Sequence, residues 1–158
     1  MIYLGIGSNL GNRKNNIEKA KFKLIQKNIT LLQSSNYYES LSWPNTKHPK
    51  FLNIVLKIST KLTPIKLINE FKNIEKYLGR TKAPQNSPRI CDIDILDYKS
   101  KRINGDLVLP HPRLYKRNFV LFPLFELDKN WIHPESKNHI KSLLLSLSNR
   151  DIRSIKQI

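Results

Sequence analysis

The stretch Pro88-Arg89-Ile90-Cys91-Asp92-Ile93-Asp94-Ile95-Leu96 carries the pattern from which the rest of the chain can be read. Side chains alternate between the two faces of a β-strand, so Ile93 and Ile95 share one face while Asp92 and Asp94 share the other. The strand is expected to run from Ile90 to Tyr98. Two carboxylates about 7 Å apart at their Cα atoms can converge on one cation. Mg²⁺ commonly takes one or two carboxylates together with substrate phosphates. Two ordinary aspartates on a solvated sheet face satisfy the same spacing, because D-x-D is a short motif. Arg89 adds a guanidinium able to grip phosphate oxygens in a bidentate fashion.

Working outward, Tyr3 to Ile6 reads as a short strand that ends in the turn-rich run Gly7-Ser8-Asn9-Leu10-Gly11-Asn12. Ile17, Ala20, Leu24 and Ile25 then recur at helical spacing, predicting an amphipathic helix from Asn12 or Arg13 to about Lys27. Ile29 to Tyr38 has strand character, Ser40 to Lys50 is a loop with two prolines, and Phe51 to Ser59 is a strand. Thr63-Pro64 supplies a hydroxyl cap followed by proline at the first helical position. The helix that follows presents Ile65, Leu67, Ile68, Phe71, Ile74 and Leu78, and Gly79 ends it. Arg80 to Pro88 is a long loop. Asn104-Gly105 predicts a hairpin with a returning strand over Asp106–Leu109, Leu114–Leu127 is partly helical, and His139–Leu147 is a last short helix.

This order matches the split β-α-β unit of ferredoxin-like folds. The expectation is an α+β protein: a ferredoxin-like βαββαβ core, an antiparallel sheet with helices packed on it, then a C-terminal hairpin and helices. One domain covers residues 1–158, a length sufficient for a single core. Hydrophobic residues at 39% and charged residues at 25% are ordinary for a globular protein. There is no apolar run long enough to span a bilayer, and Met1-Ile2-Tyr3-Leu4 does not read as a signal peptide. The single cysteine, Cys91, excludes an internal disulfide and a cysteine-rich zinc site, so a reducing cytoplasm is the expected compartment. A net charge of +16 raises nucleic-acid binding, but the lysines are spread along the whole chain rather than gathered in a block. A basic surface also attracts a small anion such as ATP.

Further side chains suit a polyphosphate and a flat ring. Arg80, Lys82, Arg89, His111, Arg113 and Arg117 gather in neighbouring segments, and phosphoryl-type transfer is catalysed mainly by positioning and charge neutralisation. Any one of these residues is equally explained as surface charge. Glu75 sits beside the apolar stripe of its helix, either partly buried or solvated at the stripe's edge. Phe51-Leu52-Asn53 and Asn118-Phe119 pair aromatics with amides: two rings can sandwich a planar ligand while an amide meets its edge, although a phenylalanine is more often core. Gly5-Ile6-Gly7-Ser8-Asn9 fits neither a P-loop nor the dinucleotide fingerprint, so phosphates must be held another way.

Taken together, Gly7-Ser8-Asn9-Leu10-Gly11, Phe51-Leu52-Asn53, Gly79-Arg80, Pro88-Arg89 with Asp92-Ile93-Asp94-Ile95, Pro110-His111, and Arg117-Asn118-Phe119 with Pro123-Leu124 resemble the 6-hydroxymethyl-7,8-dihydropterin pyrophosphokinase family of folate biosynthesis. The resemblance runs from Leu4 to about Leu127. It implies transfer of the β,γ-pyrophosphoryl group of ATP to the pterin's hydroxymethyl group, leaving AMP. It implies that Asp92 and Asp94 hold two Mg²⁺ ions, and that Arg80 and Arg89 contact phosphates during transfer. ATP would be met by Glu75, Lys82, Arg89, Ile95, His111 and Arg117, and the pterin by Phe51, Phe119, Asn53 and the backbone near Ser40 and Trp43. A monomer with small-molecule substrates, acting on neither nucleic acid nor membrane, is expected. Asn86-Ser87 replaces the family's usual aromatic-glycine pair, Lys82 stands where arginine is common, and Pro112 stands where an aromatic is frequent. Two rival readings are a nucleic-acid-binding domain that uses the phenylalanines for stacking, and a ferredoxin-like module that binds ligand without chemistry.

Overall fold

A computed structural model describes residues 1–158. In chain order the elements are β1 (Ile2–Ser8), α1 (Arg13–Gln26), β2 (Thr30–Ser34), β3 (Tyr38–Ser40), β4 (Phe51–Ser59), α2 (Pro64–Tyr77), β5 (Asp92–Tyr98), a 3₁₀ turn (Leu114–Lys116), α3 (Asn118–Leu127), α4 (Ile140–Leu145), α5 (Asn149–Ser154) and β6 (Lys156–Gln157). Both long helices begin where the sequence places them, α1 at Arg13 and α2 at Pro64. Asn12 Oδ1 accepts the Asn15 N–H at 3.0 Å, and the Thr63 hydroxyl accepts that of Lys66 with Pro64 at the first position. At Gly79 the chain turns at φ +105°, a conformation that favours glycine.

The sheet runs β5-β1-β4-β3-β6, with β2 also on β4 and every pairing antiparallel. The strands and helices of the ferredoxin-like βαββαβ unit are therefore in place, with β2 and β3 sharing one strand's position. Sequence reading gives a single strand over Ile29–Tyr38, and the structure divides it. At the break the Ser35 hydroxyl accepts the Val55 N–H at 2.9 Å, a bond that a carbonyl would otherwise make. The expected returning strand at Asp106–Leu109 is absent. A single bridge joins Ile103 to Leu109, and Pro110, lacking an N–H, follows it directly. Leu109 turns into the core instead. Segments α5 and β6 have no counterpart in the sequence reading.

Alternation along β1 splits the interior into two layers. Ile2, Leu4 and Ile6 join Ile54, Leu56, Ile93 and Ile95 under α1 and α2. Tyr3 joins Val55 and Leu96 on the opposite face, under α3 and α4. A bulge opposite Tyr3 and Leu4 makes Leu96 the extra residue of β5. Asp97 consequently faces the second layer, where Trp131 Nε1 donates to it at 2.9 Å and the Ser100 N–H at 2.8 Å. Burial pushes the Asp97 carboxyl upward, and these two bonds oppose the shift. No helix is long and apolar enough to cross a membrane.

Trp131→Phe would leave a buried carboxylate oxygen without its donor. The orphaned group alone should cost about 1–3 kcal/mol of unfolding free energy. Urea denaturation should show a lower midpoint with an unchanged slope.

Candidate active site

Helices α3 and α4 cover only part of the second face of the sheet. Where they stop, three strands present one cross-strand row: Asp92 on β5 opposite Gly7 on β1, and Gly7 opposite Asn53 on β4. The next row is Asp94, Gly5 and Val55. Directly opposed residues in antiparallel strands point to the same side. Asp92 and Asp94 therefore share a face, and the central strand places glycines between them and Asn53. Ile93 and Ile95 enter the core on the other face.

The two acids are held differently. Asp92 meets Arg80 Nη1 at 3.1 Å and Arg89 Nη1 at 3.3 Å. Arg80 is fixed in turn by Glu75 at 2.6 Å, and Glu75 Oε1 accepts the Ile93 N–H at 2.8 Å. Glu75 is thus buried, with desolvation pushing its carboxyl up, while the Ile93 N–H and Arg80 resist. Asp94 has looser neighbours, Arg117 Nη1 at 3.8 Å and His111 Nε2 at 4.0 Å. Its side chain remains 40% accessible at the cleft. The surrounding protein and the charge of Asp92 nevertheless raise it to about 7. Burial and the neighbouring Arg117 and Arg113 depress His111 to about 4, so it is neutral. The Arg113 N–H donates to His111 Nδ1 at 3.2 Å, and Arg117 Nη1 stands 3.4 Å from His111 Nε2.

Two cavities meet at these acids. A polar one of about 310 Å³ is lined by Arg80, Arg89, His111, Arg113 and Arg117. A larger one of about 750 Å³ is lined by Trp43, Phe51, Asn53, Phe119 and Tyr115. Asp92, Asp94, Asn86, Arg89, Arg113 and Arg117 line both. Arg89 stands 5.8 Å from the Phe51 ring centroid and Arg117 stands 5.4 Å from that of Phe119, so each aromatic has a guanidinium beside it. Asn53 Nδ2 donates to the Ser40 hydroxyl at 2.9 Å and to the Tyr38 carbonyl at 3.2 Å, which fixes its amide.

Most of the residues singled out in the sequence therefore converge. Four do not line the cavities. Ser40 lies buried beneath Asn53, Lys82 is exposed, and Ile95 packs into the opposite core. Glu75 acts at one remove, through Arg80. Asn9 had no assigned role, yet its amide ties three segments together. Nδ2 donates to the Ser42 hydroxyl and the Pro49 carbonyl, both at 3.1 Å, and Oδ1 accepts the Arg89 N–H at 2.8 Å. The signal available for it was an asparagine at the end of a strand, inside a glycine-bounded turn.

Residues 3–129 match the family model for 7,8-dihydro-6-hydroxymethylpterin-pyrophosphokinase. The chain belongs to this family. Membership makes it a pyrophosphokinase of folate biosynthesis with ATP as co-substrate. It is 42% identical over 141 residues to the 2-amino-4-hydroxy-6-hydroxymethyldihydropteridine pyrophosphokinase of Aquifex aeolicus, an overlap of 89% of this chain and 88% of that protein. It is 39% identical over 155 residues to a folic acid synthesis protein of Pneumocystis carinii, covering 98% of this chain but only 21% of that longer protein. A Plasmodium falciparum HPPK-DHPS crystal structure with pterin and p-hydroxybenzoate superposes with a TM-score of 0.75 over 99% of this chain and 47% of that one. At 15% identity, that likeness speaks for the fold alone.

The glycine row gives a direct handle on the larger cavity. A Cβ on Gly7 would stand 3.1 Å from Asn53 Oδ1 and 3.3 Å from Phe51 Cδ1. Gly7→Ala should displace both side chains and raise KM for the pterin by roughly tenfold, with KM for ATP within about twofold of wild type in steady-state assays.

Proposed function

We propose that this chain transfers the β,γ-pyrophosphoryl group of ATP to the hydroxymethyl oxygen of 6-hydroxymethyl-7,8-dihydropterin, with Asp92 and Asp94 as the metal-holding pair between the two substrates. The observation that carries this reading is the position of the two acids. They line an arginine-rich cavity and a cavity walled by Phe51, Asn53 and Phe119 at the same time. The polar cavity suits the nucleotide's phosphates, and the larger one suits the pterin.

Asp92 and Asp94 fit Mg²⁺. They are two oxygen donors on one strand face, uncompensated enough for burial and mutual repulsion to raise Asp94, and no third acidic, imidazole or thiolate group completes a metal cage. Such a partial shell is the kind Mg²⁺ uses when substrate phosphates supply further ligands. When bound, Mg²⁺ neutralises charge on the phosphates and on the attacking and leaving oxygens. Two ions are the proposed count.

The remaining work falls to the chain's own residues. Phe51 and Phe119 sandwich the pterin, Asn53 hydrogen-bonds its edge, and the backbone near Ser40 and Trp43 closes that pocket. Arg80 and Arg89 exchange Asp92 for phosphate oxygens. Arg89 Nε is buried without a partner, a donor that a phosphate oxygen would satisfy. His111 lines the phosphate cavity as a neutral ring, and Arg117 adds a guanidinium beside it and beside Asp94. Glu75 keeps Arg80 aimed at the site; Ile95 contributes as core beneath the acids, and Lys82 through charge at the rim. The pterin oxygen attacks the β-phosphorus in line, and AMP leaves. Closure of the Arg80–Pro88 loop would exclude water. The whole chain, 1–158, is proposed as one pterin pyrophosphokinase domain, active as a monomer in the cytoplasm.

The test is AMP release from ATP and Mg²⁺, with and without the pterin. Pterin-dependent AMP is expected. Asp94→Asn should lower kcat by at least about a hundredfold while pterin affinity changes less than about threefold. Normal turnover in that variant would remove Asp94 from the metal site. AMP release that ignores the pterin would remove the proposed substrate.

A further inference from the structure

The match to the family model stops at residue 129, and nothing in it assigns a role to the last segment of the chain. That segment reaches the larger cavity. Ser148, Arg150, Asp151 and Ser154 line it together with Phe51, Asn53 and Phe119, whereas no residue after Arg117 lines the polar cavity. We propose that Asn149–Ile158 is a clasp that fixes the spacing between the two walls of the ring pocket, acting through Asn118 as a positioning residue. The proposal rests on the reading of that pocket as the pterin site.

Helix α5 buries no side chain of its own, so hydrophobic burial does not hold it in place. Hydrogen bonds do. Asn118 Nδ2 donates to the Asp151 carbonyl at 2.7 Å and to the Ser154 hydroxyl at 3.2 Å. The Asp151 carbonyl is one of the last four of its helix, which lack backbone N–H partners inside it, and it also accepts the Ser154 hydroxyl at 3.1 Å. The same amide, through Oδ1, accepts the Phe119 N–H at 2.7 Å. One buried side chain thus joins α5 to the backbone of the ring-stacking residue.

The other end of the clasp grips the opposite wall. β6 pairs with β3, Tyr38 facing Gln157 and Glu39 facing Lys156, and the Ile158 N–H donates to the Tyr37 carbonyl at 2.9 Å. β3 holds Asn53 through the Tyr38 carbonyl and the Ser40 hydroxyl. Phe119 and Asn53 lie on different elements, α3 and β4. The segment α5–β6 runs between the groups that anchor each of them. A tie of this kind is reciprocal: whatever it adds to ring binding, ring binding adds to it. Being short and polar, it also belongs to the parts of a fold that open at low free energy, so added stability there is readable by hydrogen exchange.

The experiment uses the full chain. Amide exchange is followed by mass spectrometry alone, with saturating 6-hydroxymethylpterin, and with ATP and Mg²⁺; binding of each ligand is checked separately. The pterin should slow exchange across residues 149–158 by at least about threefold, and the nucleotide alone should leave it unchanged. Asn118→Asp keeps the acceptor for the Phe119 N–H but removes both donors to α5. It should raise KM for the pterin by about tenfold and leave KM for ATP within about twofold. Asn118→Ala should do the same. Unchanged exchange in a pterin-saturated protein, or a wild-type pterin KM in Asn118→Asp, would overturn the clasp. Exchange in the wild-type chain decides the matter even if a variant fails to fold. A wild-type protein that binds no pterin would instead overturn the functional reading beneath it.

Discussion

The alternation of side chains along β5 forces Asp92 and Asp94 onto one face of the sheet, where their charges repel. At a Cα spacing of about 7 Å and an effective dielectric of about 20, that repulsion is roughly 2 kcal/mol. The surrounding structure answers it unevenly. Arg80 and Arg89 are in direct contact with Asp92, and Glu75 braces Arg80 from the core side. Asp94 is left with only distant guanidinium and imidazole groups, and its carboxyl rises accordingly. The imbalance leaves one acid compensated by direct guanidinium contacts and the other without a close ionic partner. Gly5 and Gly7 complete the arrangement by leaving the sheet bare beside the acids, where any larger residue would fill the floor of the cleft.

Much of the fold was legible because local chemistry and periodicity agree. Ile17, Ala20 and Leu24 lie on one helical stripe and are buried, although Ile25 of the expected stripe is exposed, and the Thr63 cap sits where the sequence puts it. The misreadings came from places where a side chain or a proline does something that period alone does not encode. Ser35 spends its hydroxyl on the sheet and splits a strand. The chain does reverse after Asn104-Gly105, but through a wider loop than a hairpin turn, and Pro110 follows the single bridge. α5 buries nothing, so it has no stripe to detect, and its position follows from a bond to Asn118, 33 residues away.

The candidate site was legible to the extent that it lies along one strand. Asp92 and Asp94 could be placed from spacing; their neighbours Gly7 and Asn53 could be placed beside them only through a register spanning three strands. Ile95 shows the two kinds of inference pulling apart. Alternation sends it into the core, whereas the family resemblance attaches it to the nucleotide, and its side chain follows alternation. Glu75, ambiguous at the edge of its stripe, is settled by partners that sequence cannot supply: the Ile93 N–H and Arg80.

The net charge of +16 looks like a single property of the sequence and divides into two in space. Five of the eight arginines, Arg80, Arg89, Arg113, Arg117 and Arg150, line the two cavities, against one of the twenty lysines, Lys116. Chemistry accounts for the division. A guanidinium is planar, weakly hydrated and forked, so it can be partly buried, stacked beside a phenylalanine and still offer paired donors to a phosphate. An ammonium is strongly hydrated and is best left in water, where its charge acts over distance and is screened within about 10 Å at ordinary salt. Lysines therefore set a diffuse field that draws anions toward the protein, while the arginines give that field a destination beside the two aspartates.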